Sequence, residues 1–216
     1  MSAPDIGAAP EESKTLEAWP VDRHHSGVTQ SSSLVGRLLL AMPSIGDPRF
    51  EQAVILVCAH DATHAMGIRL NAPNEELQLG ALFDKLEIGA SPLNPDQPVL
   101  VGGPVETERG FVLHTDDCFD QASSLAINGG LAVTATREVL LAMTDRSSTP
   151  RRSVLALGYA GWGEGQLETE LVENVWLAGE PDDDILFGDD HETKWARAMA
   201  RIGVDVAHLS GDVGRA

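Results

Sequence analysis

Residues 38–60, LLLAMPSIGDPRFEQAVILVCAH, decide the fold. The run at 35–42 (VGRLLLAM) is apolar and stops at Pro43, while AVILVCA (53–59) is short, β-branched and apolar throughout. Segments of that length without polar alternation predict strands buried on both faces, the kind that helices cover. Two prolines and a glycine between them make 43–50 an ordered turn. Outward from this core, AMGIRLN (65–71) predicts a strand stopping before Pro73. LGALFDKL (79–86) predicts a helix with Leu79, Leu82, Phe83 and Leu86 inward. VLVGG (99–103) and GFVLH (110–114) predict strands flanking a turn at 104–109.

LAINGGLAV (125–133) predicts a hairpin, with Asn128-Gly129 or Gly129-Gly130 at its two-residue turn. Residues 136–143 predict a helix capped by Thr134 or Thr136. SVLALGYA (153–160) predicts another buried strand, leading through the glycine-rich turn GWGEG (161–165) into a helix that carries Leu167, Leu171 and Val175. A last helix is predicted from Asp189 or Asp190 to Gly203, with Trp195, Met199 and Ile202 inward and Lys194, Arg197 and Arg201 outward. Strands and helices interleave. The fold class is therefore α/β or α+β, a mixed sheet flanked by helices in one domain over 34–216. Residues 1–33 are rich in Pro, Ala, Ser and acids and predict a disordered tail; His24-His25 within it reads as a solvated pair.

The chain has 216 residues, 43% of them hydrophobic, and 33 acids against 15 bases give a net charge of −18. Such a balance argues against direct nucleic-acid binding through phosphate contacts and against docking on anionic membrane. No apolar run reaches the roughly 18 residues of a membrane span, and the acidic start is unlike a signal peptide. With only two cysteines, Cys58 and Cys118, a cytoplasmic location is expected. The charge is uneven: residues 160–192 hold 11 acids and no Lys or Arg. One acidic face is expected, suited to a basic protein partner.

Chemistry has four places to sit. Cys58 and His60, two apart on a strand, share a face if the strand is regular, so an imidazole could favour the thiolate. With His64 they could also collect zinc, although no fourth ligand stands at a finger spacing. The bland alternative makes Cys58 a small core residue. His114, followed by Asp116 and Asp117, could act as a base oriented by a carboxylate, or be a satisfied structural histidine. The strand–turn–helix at 158–166 has anion-binding geometry, but Glu164, Glu168 and Glu170 in the first helical turns would repel phosphate. The acidic stretch Asp182-Asp183-Asp184 and Asp189-Asp190 fails the EF-hand pattern at Leu186, leaving a solvated loop plus an N-cap aspartate. No nucleophile elbow, zinc-protease, Walker or dinucleotide motif follows any strand, so no cofactor and no metal are expected.

Four blocks in order resemble the YqgE/AlgH family of bacterial proteins: LLLAMPSIGDPRFEQAVILVCAH, MGIRLNAP, VLVGGPVETERGFVLH and LALGYAGWGEGQLETELVENVWL, with the ending LSGDVGRA. The resemblance covers Leu34 to the C-terminus. It implies a compact α/β domain in the bacterial cytosol with no established catalytic activity; members are commonly labelled transcriptional regulators. Ala59 stands where the family usually has Glu, His64 where it tends to have Gly, and Ala72 where Arg or Lys is common. The positions carried across as binding candidates are His60, Asn71, Gly102, Gly103, Arg109, His114, Trp162, Gly163, Gly165 and Gln166. Turn geometry, and a pairing of Arg109 with Glu106 or Glu108, is their structural alternative. The expectation is a non-enzymatic regulatory or binding protein with a protein or small-molecule partner; the alternative is a thiol- or histidine-dependent enzyme using Cys58, His60 and His114.

Overall fold

Alternation along the first two strands sorts their side chains onto two cores. In β1 (Leu38–Ala41) and β2 (Val54–His60), Leu38, Leu40, Val54, Leu56 and Cys58 face one apolar cluster, and Leu39, Ala41, Ile55 and Val57 face another. Both faces are dry, as an apolar run without alternation requires. The computed structural model describes residues 33–118 and 123–209, so the tail expected over 1–33, the His24-His25 pair and the C-terminal LSGDVGRA block lie essentially outside the described residues.

The remaining elements are β3 (His64–Arg69), β4 (Pro73–Gln78), α1 (Leu79–Lys85), β5 (Pro98–Val101), β6 (Val105–Thr115), β7 (Ser124–Ile127), β8 (Leu131–Thr134), α2 (Arg137–Ala142), β9 (Ser153–Gly163), α3 (Gln166–Val172), β10 (Trp176–Gly179), α4 (Asp183–Phe187) and α5 (Lys194–Arg201). The sheet runs β10-β1-β2-β3-β9-β6-β8-β7, with β5 alongside β9 and β4 alongside β5. Every pairing is antiparallel except β5 with β9. This is the mixed α/β domain that the interleaved pattern implied. The sheet curls, and the Asn128 amide at its far edge donates to the Val35 carbonyl at 3.0 Å. Inside the curl, α4 and α5 seal the first cluster; α3 covers the second, and α1 and α2 a third. Among the described residues no helix is long and apolar enough to cross a membrane.

Several expectations are corrected. Residues 105–109 are not a turn but the start of β6, whose pairing with β9 shifts between Val105 and Gly110. The hairpin loop has three residues, since Ile127 pairs with Leu131; Gly129 and Gly130 both take left-handed φ, +83° and +76°. Gly161-Trp162-Gly163 continues β9, leaving Glu164-Gly165 as the turn. The helix after it stops at Val172 because Asn174 adopts φ +55°, a conformation its short polar side chain tolerates, and β10 follows. The Asp-rich loop is a capped helix: the Asp182 carboxylate accepts from the amides of Asp184 and Ile185 at 2.8 and 3.0 Å. The last helix begins at Lys194, not Asp189, and Lys194 is buried. Leu86, past the end of α1, is 40% exposed.

Candidate functional site

A β-bulge separates Cys58 from His60. The register of β2 against β3 slips between Val57 and Ala59, so Cys58 and Ala59 both enter the cluster inside the curl. His60 turns to the opposite face and meets α3. Cys58 is sealed: its thiol donates to the Leu56 carbonyl at 3.4 Å and meets the Ile68 backbone, and burial pushes its pKa up to about 12. It behaves as the small core residue of the bland alternative.

His60 is engaged at both ring nitrogens. The Leu34 amide donates to Nδ1 at 3.1 Å, so Nδ1 carries the lone pair; Nε2 holds the proton and stands 2.6 Å from Glu168 Oε1. Neither nitrogen is left to take a proton from a substrate. His64 belongs to a separate turn, where its Nδ1 lies 2.7 Å from the Thr63 hydroxyl and 3.1 Å from Asp61. Among the described residues no three His, Cys, Asp or Glu side chains are grouped to hold a metal ion.

His114 sits on β6, which β3 and β9 separate from β2. It is fully buried. Its Nδ1 donates to the Thr115 carbonyl at 2.8 Å, and its Nε2 lies 2.8 Å from the Thr134 hydroxyl, itself 2.6 Å from Ser124. Asp117 does not orient it: that carboxylate accepts from the Thr115 hydroxyl and, at 2.9 Å, from the Arg151 amide. Cys58, His60 and His114 thus occupy three separate environments.

What the sequence singled out around 160–166 does converge with His60. β9 delivers Trp162 to the buried face, and Gly165, at φ +66°, turns the chain into α3. The Gln166 carbonyl oxygen accepts from the Gly163 amide at 3.0 Å, and its NH2 donates to Glu170 Oε1 at 2.9 Å. Glu170, expected with Glu164 and Glu168 to repel anions at the helix start, is instead turned inward and only 3% exposed. Its Oε2 accepts from the indoles of Trp162 and Trp176, at 2.9 and 2.8 Å. A buried carboxylate needs such donors, because burial without them costs several kcal/mol, roughly. The signal was present in sequence: a Glu between two tryptophans, four residues after a Gln. The result is a rigid rim of His60, Gly163, Gln166 and Glu168, with the outer side of α3 beyond it, where Val172 is 81% exposed between Glu168 and Glu173.

The other carried-over residues are structural. Asn71 clasps the 47–52 loop: its Oδ1 accepts from the Val54 amide at 2.9 Å and Arg69 Nε at 3.3 Å, and its Nδ2 donates to the Gln52 carbonyl at 2.8 Å. Gly102 and Gly103 thread against β9 so closely that a Cβ on either would fall within 2.2 Å of backbone atoms of Gly158 or Tyr159. Arg109 pairs with Glu106 at 3.0 Å and lies over Phe111 at 5.4 Å. The acidic window is partly neutralised from outside: Arg201 binds Asp182 at 2.6 Å, Arg37 binds Glu180, and Arg197 and Arg152 approach Asp184 and Asp183 at 3.7 and 3.9 Å.

The AlgH-like family model matches residues 38–207, which contain His60, β9 and α3. The chain belongs to the AlgH-like family. A UPF0301 protein of Caulobacter vibrioides is 52% identical over 183 residues, 85% of this chain and 94% of the relative. The solution structure of the AlgH protein from Pseudomonas aeruginosa superposes with a TM-score of 0.69 at 36% identity, covering 88% of this chain and 100% of that one. A crystal structure of a protein from Corynebacterium diphtheriae shares the fold, with a TM-score of 0.64 at 20% identity over 81% of this chain and 90% of that one.

Proposed function

We propose that this AlgH-like protein is a non-enzymatic regulatory protein of the cytoplasm. It acts by binding a basic protein partner on the rim of His60 and the outer side of α3. The observation that carries this reading is the saturation of His60 by the Leu34 amide and Glu168. With Cys58 sealed on the other face, its thiol and the His60 imidazole cannot act as a nucleophile–base pair. The rim is rigid, because Glu170 and Gln166 anchor α3 from below. Its carboxylates Glu164, Glu168 and Glu173 are exposed, with Glu168 one helical turn before the exposed Val172 and Glu173 next to it, a pattern suited to a basic surface with one apolar contact. Regulation of transcription then runs through the partner, since the net charge of −18 opposes direct phosphate contacts.

Affinity capture on the full chain tests this, with a Glu168→Gln/Glu173→Gln/Val172→Ser variant of unchanged melting temperature as control. A basic partner recovered reproducibly by the native chain and lost from the variant is expected. No partner, or equal recovery by both, rejects the reading.

A further inference from the structure

Three of the chain's 15 basic residues, Arg146, Arg151 and Arg152, line one cleft of about 780 Å³. It lies at the start of β9, whereas His60 and α3 lie at the other end of that eleven-residue strand. One wall is the segment from α2 to β9; the other is the loop at 92–98. The walls are tied across: the Leu93 amide donates to the Met143 carbonyl at 3.0 Å and the Gln97 side chain to the Ser153 carbonyl at 2.8 Å. The arginine backbone is fixed as well, with the amides of Arg151 and Arg152 donating to Asp117 at 2.9 Å and Thr115 at 3.3 Å. The cleft is therefore built, not merely lined.

The guanidinium groups are scarcely spent. Among the described residues Arg146 has no hydrogen-bonded or ion-paired partner, Arg151 acts on Asp117 only as a nearby charge, and Arg152 stands 3.9 Å from Asp183. In a chain of net charge −18, three such groups on one opening form a local anion attractor. Arginine forks match phosphate and carboxylate oxygens in pairs. The floor is apolar, made of buried Leu79, Met143 and Phe187. Asp96 and Asp189 also line the cleft. They accept hydrogen bonds from hydroxyls, which a sugar supplies and an acidic peptide of glutamates does not.

From this arrangement we infer that the cleft binds a nucleoside diphosphate: phosphates on the arginines, ribose hydroxyls on Asp96 or Asp189, and the base on the apolar floor. The volume suits a ligand of that size, since small-molecule sites span roughly 300–1,000 Å³. The site is independent of the His60 rim.

Titration calorimetry of the full chain at low ionic strength tests the inference, with ADP, GDP and UDP as probes beside adenosine, inorganic pyrophosphate and an octaglutamate peptide. At least one diphosphate is expected to bind and to raise the melting temperature. Adenosine and pyrophosphate should each bind about tenfold more weakly or less, because each keeps only half of the contacts. Arg146→Gln/Arg151→Gln, two exposed positions, should weaken the diphosphate about tenfold or more without moving the ligand-free melting temperature. His60→Ala should leave binding unchanged, which separates this site from the proposed partner surface. Three results overturn the proposal: no binding of any diphosphate at millimolar concentration, equal affinity in the arginine variant, or tighter binding of the peptide through the same arginines.

Discussion

Glu170 Oε2 lies 2.8 Å from the Trp176 indole nitrogen, and the same oxygen accepts from Trp162 at 2.9 Å. One carboxylate therefore fastens α3 to β9 and β10 at once. Glu170→Ala would leave two indole N–H groups and the Gln166 amide without their acceptor in a site only 3% exposed. The expected loss is about 3–5 kcal/mol, more than a typical substitution, because buried donors forfeit their partner outright. Glu170→Gln keeps one acceptor oxygen but turns an NH2 toward a donor, and should cost less, about 1–3 kcal/mol. Urea unfolding measures both; a Glu170→Ala protein within about 1 kcal/mol of native stability would show that the network carries little.

Lys194 and Cys58 set opposite slopes of stability against pH. Burial lowers the Lys194 ammonium from 10.5 to about 8 and raises the Cys58 thiol from 9.0 to about 12. Between about 8 and 10.5 the unfolded chain holds a lysine proton that the native chain has released, so stability rises with pH. Above about 9 the unfolded chain loses a thiol proton that the native chain keeps, so stability falls. The native protein should gain on the order of 1 kcal/mol from pH 8 to 9, level off, and weaken above about 10.5. Lys194→Met should abolish the rise, and Cys58→Ala should lessen the fall, the remainder of which comes from Cys118 and Tyr159, both raised chiefly by burial. His191, lowered from 6.5 chiefly by burial, acts below this window. A Lys194→Met protein with the native rise intact would assign the effect elsewhere.

How much of this was legible follows from the range of the forces involved. Strands β1 and β2 were legible because eleven residues of near-continuous apolar sequence have few other homes. The turn role of Gly165 and the pairing of Arg109 with Glu106 were legible because both are local. Strand β10 was masked by Leu167, Leu171 and Val175, whose spacing prolongs a helix that Asn174 ends. Lys194 looked like a solvent residue, because the carbonyl that holds it at 3.0 Å belongs to Leu70, 124 residues away. The separation of Cys58 from His60 turned on one bulge, and a one-residue slip reverses every side chain beyond it. The arginine cleft needs the 92–98 loop across from 146–152, a juxtaposition that no periodicity encodes.

Gly103 and Gly158 hold a close crossing that side chains would break. A Cβ on Gly158 would sit 2.5 Å from the Gly103 carbonyl oxygen, at φ +72°, and one on Gly103 would sit 2.1 Å from the Tyr159 carbonyl carbon. Alanine at either position should cost about 3 kcal/mol or more, since backbone on both sides must move. Gly129 is the control: its φ is +83° but nothing lies within 4 Å. Gly129→Ala should cost only the left-handed penalty, about 1–2 kcal/mol. Thermal unfolding of the three variants decides, and equal losses would remove the close approach as the cause.

The two cysteines should respond differently to alkylation. Cys118 is half-buried, with its thiol 2.9 Å from the Ser148 carbonyl, and burial followed by the charge of Asp117 raises its pKa. It should react with iodoacetamide more slowly than a free thiol, and faster as pH rises, because the thiolate is the attacking form. Cys58 should not react in the folded chain at any pH where the fold persists, and should become labelled only as denaturant opens the sheet. Peptide-level mass spectrometry separates the two sites. Rapid labelling of Cys58 near neutral pH would mean that the thiol is exposed and ionised in the native chain, and would restore Cys58 as a nucleophile against the binding role proposed for this protein.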